Sequence, residues 1–380
     1  MATPSTRSRP RTDPGERRGV KRPLFLVLAA TVLLVLWNVH VGRAEERLRV
    51  ERSRVGRLLT PEERQDVPMA AVKVELGGRS LLYGRFEGLW RCREYHLAPA
   101  DTQAIESLFQ KLTEAEGVVV TSETSEAPTY GINTPETIRV YLCGRRVLED
   151  PAGDVLFAFD IGKAIPGRDG GFVRRRGTKE IWAIDSNPRL ELERPAPDLP
   201  PMLARGVVPR AWPGWRSGFQ QVFVDRRASG FELTRSEIEL EPEALQAGQV
   251  PWKWMLATET GQVEAASGPA VAYSLFLQKI PYVEVLPREE RQAHGIATPA
   301  AVVTLAAAEG EPLEVILGPP RGDGRTPIWV PFTQTLYLVD DQVAELVAPD
   351  RARFAPGSEE NPWDPYLRQA TNPSLPSFNR

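Results

Sequence analysis

Histidine and cysteine are scarce in this chain, with three His and two Cys among 380 residues. His40, His96 and His294 form no H-E-x-x-H, no paired Cys/His spacing exists, and there is no carboxylate-rich calcium loop. A metal centre therefore has no spaced ligand set to build on. The G-x-S-x-G elbow and the S-x-x-K pair of serine hydrolases are missing too. So are the P-loop and G-x-G-x-x-G patterns that cradle phosphates. These gaps assign no catalytic, cofactor-binding or metal-binding residue, and the chain reads as a non-enzyme. An enzyme with an unrecognised site stands as an alternative.

Cys92 and Cys143 form no CxxC. Strand alternation puts Trp90 and Cys92 on an inner face. Ile138, Val140 and Leu142 also look inward, which turns Cys143 outward. That pattern argues against a disulfide.

Basic charge is sparse beyond the N-terminus. Residues 1–59 hold thirteen Lys/Arg and five Asp/Glu; taken from totals of 47 and 50, they leave 34 basic and 45 acidic residues, a net of −11. So acidic a remainder excludes nucleic acid as the expected partner, because phosphate backbones reward basic surfaces.

One stretch has no charge at all. Pro23 to Val41 reads PLFLVLAATVLLVLWNVHV, and a helix of that length matches the hydrocarbon thickness of a bilayer. Residues 23–41 are read as a transmembrane helix, uncleaved because Gly42-Arg43-Ala44 is a weak signal-peptidase site. Seven basic residues precede it and six arginines follow, a slight bias that places the N-terminus inside. Residues 1–22 become a basic cytoplasmic tail, and 42–65 a helical stalk rich in helix formers. The expected location is the bacterial cytoplasmic membrane, single-pass, with the remainder outside.

Beyond the stalk the sequence repeats itself. Tyr130-Gly131-Ile132-Asn133-Thr134-Pro135 recurs as His294-Gly295-Ile296-Ala297-Thr298-Pro299. Trp90 corresponds to Trp254, and Ser107-Leu108-Phe109 to Ser274-Leu275-Phe276. Phe159-Asp160-Ile161-Gly162 parallels Val315-Ile316-Leu317-Gly318, and Ile181 to Asp185 parallels Leu336 to Asp340. Ordered landmarks of this kind define two copies of one module, 66–190 and 220–350. Each combines alternating strands with one short helix, the amphipathic Ala98 to Glu116 in the first and a helix around Val271 to Ile280 in the second. Gly131 and Gly295 permit backbone that other residues resist, while Pro135 and Pro299 fix a turn before a strand. The fold class is α+β: an N-terminal transmembrane helix, then two tandem, similar modules of antiparallel strands around a short helix. The 35 prolines cluster between periodic segments. They mark 191–219 as a linker and leave 351–380 as an irregular tail.

A tryptophan-headed strand, a short helix, Y-G-[IL]-x-x-P before a strand and a strand ending in glycine resemble the domain of unknown function 4340 family. The likeness covers residues 66–350. The second copy departs in having His294 for the aromatic and a shorter, proline-rich glycine turn. The resemblance implies tandem modules behind one membrane span, akin to auxiliary components of gliding-motility-type ABC transporters. It carries over no catalytic residue.

Two features fit contact with a partner. Arg174, Arg175 and Arg176 lie in a glycine-rich basic hairpin suited to lipid headgroups or an acidic protein, and equally to a wet surface. Trp212 and Trp215 fit sugar stacking or partner anchoring, and equally core packing. The leading expectation is a non-catalytic accessory or scaffold protein binding another protein of an envelope or ABC-transport-type assembly. A glycan- or lipid-binding envelope module is the alternative.

Overall fold

A computed structural model describes residues 55–65, 69–148, 153–192, 198–226, 229–239 and 252–371. The expected transmembrane helix and basic tail lie outside these residues. Among the described residues no helix is long and apolar enough to cross a membrane.

The fold is α+β, two antiparallel sheets with few helices. The chain opens with β1 (Gly56–Arg57) and the short helix α1 (Pro61–Gln65). The first copy then runs β2 (Ala71–Leu76), β3 (Arg79–Phe86), β4 (Leu89–Cys92), β5 (Ala98–Pro99), α2 (Thr102–Thr113) and β6 (Glu116–Thr121). After a 3-10 turn at Thr124–Tyr130 come β7 (Ile138–Cys143), β8 (Val155–Ala164), β9 (Gly171–Arg175) and β10 (Ile181–Ile184). The helix is capped by Asp101, whose Oδ1 accepts from the amides of Gln103 (3.0 Å) and Ala104 (3.3 Å). It buries Ile105, Leu108 and Leu112 against the sheet, the i, i+3, i+7 face that the sequence presents.

A short helix, α3 (Gly214–Ser217), leads into the second copy: β11 (Gln221–Arg226), β12 (Phe231–Glu237), β13 (Trp252–Thr258), β14 (Gly261–Glu264), α4 (Ser267–Leu277) and β15 (Glu284–Leu286). A 3-10 turn at Arg288–Arg291 precedes β16 (Ala301–Ala306), β17 (Leu313–Leu317), β18 (Arg325–Val330), β19 (Thr335–Asp340) and α5 (Asp341–Val347). The first sheet has the order β1-β6-β10-β9-β8-β7-β2-β3-β4-β5, the second β14-β13-β12-β11-β16-β17-β18-β19-β15. Read from the opposite end, the first sheet matches the second strand for strand, with β1 as its one addition. Tandem duplication is thus visible in topology as well as in sequence.

The repeat motif has a structural cause. Gly131 and Gly295 sit at φ 73° and 71°, the left-handed region that glycine enters without a Cβ clash. Each turn folds back so that residue 130 or 294 lays its carbonyl oxygen against a glycine, Gly162 in β8 or Gly318 just after β17. A Cβ on Gly162 would run into Tyr130 O, and one on Gly318 would stand 2.7 Å from His294 O. Both tryptophans of the motif, Trp90 and Trp254, are buried. Pro135 is exposed and Pro299 half-buried, each in the turn ahead of its strand.

Three expectations change. The helical stalk does not extend to residue 65 as one element, because Gly56–Arg57 pairs with β6 and Leu58 and Leu59 are buried in the first core. Burial of two leucines outweighs helix propensity here. Gly56 is required in that strand, since a Cβ would meet the Trp182 ring at 2.9 Å. Thr60 and Glu63 then start α1 with a reciprocal capping box, Thr60 N to Glu63 Oε2 at 2.9 Å and Glu63 N to Thr60 Oγ1 at 3.3 Å. The first helix begins at Thr102 rather than Ala98, because Ala98–Pro99 pairs with β4. The C-terminal segment is not irregular as far as residue 371. Arg351–Phe354 forms a 3-10 turn and Asp364–Thr371 a helix, α6. Phe354 and Trp363 are wholly buried beside Tyr273. Residues 372–380 lie outside the described part.

The proline-rich segment between the copies is a packing element. Leu199, Met202, Leu203, Val207 and Val208 are all buried in a core that reaches both sheets. Asp101 N donates to Met202 O at 2.8 Å and Ala204 N to Pro99 O at 2.9 Å, fixing the segment to the first copy. Val207 N donates to Ile280 O at 3.0 Å, and Tyr282 OH to Ala204 O at 2.7 Å, fixing it to the second. Arg91, 3% exposed, completes the seam. Its Nη1 donates to Leu97 O (3.1 Å) in the first copy and to Thr333 O (2.7 Å) in the second.

Candidate functional site

The inward face of the first sheet is apolar: Val72, Val74, Val140, Leu142, Phe159, Ile161 and Val173 are buried in the main core. Alternation therefore turns Lys73, Glu75, Arg139, Tyr141, Asp160 and Arg174 to the other face. Cross-strand register lines them up. Lys73 faces Tyr141 and Glu75 faces Arg139 across β2 and β7. Arg139 faces Asp160 across β7 and β8, and Asp160 faces Arg174 across β8 and β9.

Asp160 is the centre of the array, its side chain 4% exposed. Arg174 donates to its Oδ2 through Nε at 3.1 Å and again through Nη2. The same Nη2 also reaches Asn133 Oδ1 at 2.6 Å. Two further guanidiniums stand at the other carboxylate oxygen, Arg139 at 3.9 Å and Arg176 at 3.8 Å. Arg176 Nη1 donates to Tyr141 OH at 2.8 Å, and that hydroxyl donates to Glu75 Oε2 at 3.0 Å. Lys73 Nζ is 3.1 Å from Glu75 Oε1 and Arg139 Nη1 3.5 Å from Oε2. Burial alone would raise the Glu75 carboxyl, but Lys73, Tyr141 and Arg139 outweigh it and hold the pKa below its ordinary value. Burial, followed by the bond to Glu75, raises the Tyr141 phenol. Four cations thus share two carboxylates, and the two outermost arginines, Arg139 and Arg176, are 51% and 45% exposed.

The basic hairpin is split by its own strand. Arg174 and Arg176 belong to this outer array. Arg175 faces Phe159 across β9 and β8 and pairs instead with Glu63 of α1 at 2.7 Å. Its guanidinium lies 5.2 Å from the Phe157 ring centre. The sequence groups the three arginines by adjacency and does not bring in Lys73, Arg139 or Asp160. The missed signal was alternation, which gives every second residue of four adjacent strands a place on one face.

Trp212 is 1% exposed, and its indole Nε1 donates to Glu311 O at 3.0 Å; it has no face left for a ligand. Trp215 is half-buried against the core, with Arg210 6.0 Å from its ring centre. Cys92 lies in the main core and Cys143 in a small cluster on the outer face with Ala71, Leu82 and Val147. Both are buried free thiols. Burial pushes Cys92 up to about 12 and Cys143 to about 11. His294 Nε2 is 3.3 Å from Glu290 Oε2. Among the described residues no group of three or more His, Cys, Asp or Glu is placed to hold a metal ion.

Residues 90–199 match the family model described as Domain of unknown function (DUF4340). The match begins at the motif tryptophan of β4 and ends in the segment between the copies. No curated protein and no solved structure matches the chain.

Proposed function

We propose, for a chain whose residues 90–199 belong to the domain of unknown function 4340 family, a non-catalytic accessory role at the bacterial cytoplasmic membrane. In this reading residues 23–41 anchor the protein with its N-terminus inside. The two modules stand outside and bind another protein of an envelope or ABC-transport-type assembly. The resemblance to auxiliary components of gliding-motility-type transporters points the same way.

The observation that carries the reading is the pair of sheets that match in order, β1 aside, and carry unlike outer faces. A duplicated scaffold that keeps its core and changes its surface serves recognition better than it serves chemistry. The glycan alternative loses support at Trp212, whose ring is enclosed.

The test is cysteine accessibility in intact cells of a Ser374→Cys variant, using a membrane-impermeant maleimide. Cys92 and Cys143 are buried with raised thiol pKa values, so the introduced thiol reports alone. Labelling after permeabilising the outer envelope only is expected. Labelling only after the inner membrane is breached would refute the placement. Detergent-solubilised protein with no partner recovered by crosslinking in its host would refute the accessory role.

A further inference from the structure

We propose that the charged outer face of the first sheet docks an acidic segment of a partner protein; this deepens the accessory reading above and rests on it. Asp160 is buried and anchored by two bonds from Arg174. It draws the guanidiniums of Arg139 and Arg176 to within 4 Å and leaves each about half exposed. A carboxylate that is itself shielded from solvent thus orients cations that are not. Guanidiniums held in this way present planar donor forks that match carboxylates in two-point contacts.

The second copy shows that the fold does not require this array. Where the first copy has Lys73, Arg139, Asp160 and Arg174, the second has Phe223, Val302, Ile316 and Trp329 at the same ladder positions. The charges are dispensable to the sheet and concentrated on one copy of a chain whose folded part is otherwise acidic.

A membrane surface fits the array less well than an acidic peptide. Glu75 and Asp160 sit among the cations and halve their net charge, which weakens attraction to a uniformly anionic plane. Among the described residues, the large apolar side chain left exposed on this face is Val155, at the far end of β8. Interfacial binding draws on several Trp, Phe or Leu side chains for insertion. A flexible acidic segment can instead place its carboxylates against the arginines and avoid Glu75.

The experiment measures binding of a labelled deca-glutamate peptide to the full chain in neutral detergent, across a salt series. Phosphatidylserine vesicles serve as the parallel probe. Peptide binding that weakens steeply with salt is expected. It should fall at least tenfold in Arg139→Gln/Arg176→Gln, which removes two half-exposed guanidiniums and leaves the Arg174–Asp160 pair in place. Charge reversal in the C-terminal segment, Arg351→Glu, should leave it within twofold. Equal losses in both variants, or no peptide binding by the parent chain, would overturn the proposal. Vesicle binding through Arg139 and Arg176 without peptide binding would overturn it too, in favour of a lipid surface. Cytosolic placement of Ser374→Cys with peptide binding intact would instead sink the envelope reading and leave the docking chemistry standing.

Discussion

Where the first copy sets Asp160 between Arg139 and Arg174, the second sets Ile316 between Val302 and Trp329. Around that difference much is held fixed. The strand order is the same apart from β1, the left-handed glycine recurs, and Gly162 or Gly318 meets the turn's carbonyl oxygen in each copy. Contacts of backbone on backbone tolerate no side chain, so they persist through duplication. The outer face of a sheet meets solvent or a partner, and its residues change without disturbing the ladder. In both copies the turn after the left-handed glycine covers part of that face, packing Ile132 over Ile181 in the first and Ile296 over Trp329 and Leu336 in the second. Phe223 remains 44% exposed at the position of Lys73. The two copies are one scaffold with two chemistries.

The comparison depends first on the copies being welded together. Trp212→Ala removes a wholly buried indole from the core they share and is expected to cost about 4 kcal/mol. Urea unfolding of the full chain in detergent checks this, and both copies should lose stability together. Next in size is the exchange of outer-face residues. Arg174→Trp, the second copy's choice, leaves buried Asp160 with only its two longer ion pairs and should cost about 3 kcal/mol. Asp160→Ile added to it should restore most of that loss, to within about 1 kcal/mol of the parent. A double variant as unstable as the single one would show that the two faces are not interchangeable.

The turn glycines come next. Gly162→Ala and Gly318→Ala each push a methyl group toward a carbonyl oxygen and should cost about 2 kcal/mol by overpacking. The effect should be larger at Gly162, where the approach is closer. Smaller still is the acid response of the first copy. Its Glu75 carboxyl is held below the ordinary 4.5, so its contribution is present above that value and lost as pH falls through the folded pKa. Unfolding midpoints between pH 5 and pH 3, read against Glu75→Gln, should show a shallower acid slope in the variant. Phe223→Lys, the first copy's residue placed on the second, should change stability by less than about 0.5 kcal/mol.

The sequence made the duplication legible through residues whose backbone role admits few substitutes: Gly131, Gly162, Gly295 and Gly318, with Trp90 and Trp254 as buried anchors. It also disclosed the opposite faces of the two cysteines. Other features carried no period to read. Leu199, Met202, Leu203, Val207 and Val208 are buried among irregularly spaced prolines, so the sequence marks a linker without showing which of its residues pack. Leu58 and Leu59 followed a run of helix formers, which hid a strand of two residues. Phe354 and Trp363 are isolated in sequence and meet their partners only in the folded core, where they stack on each other, both touch Tyr273 of α4, and Phe354 also packs on Phe231. The outer charged face was hidden for a different reason. Its members are spread from residue 73 to residue 176 and come together only through strand pairing.

Both copies and the segment between them form one cooperative unit carrying two unlike faces. Scanning calorimetry of the full chain in neutral detergent tests it most directly. A single transition is expected, with equal calorimetric and van't Hoff enthalpies, moved to lower temperature as a whole by Trp212→Ala. Two resolved transitions, or a Trp212→Ala variant that shifts only one of them, would contradict it.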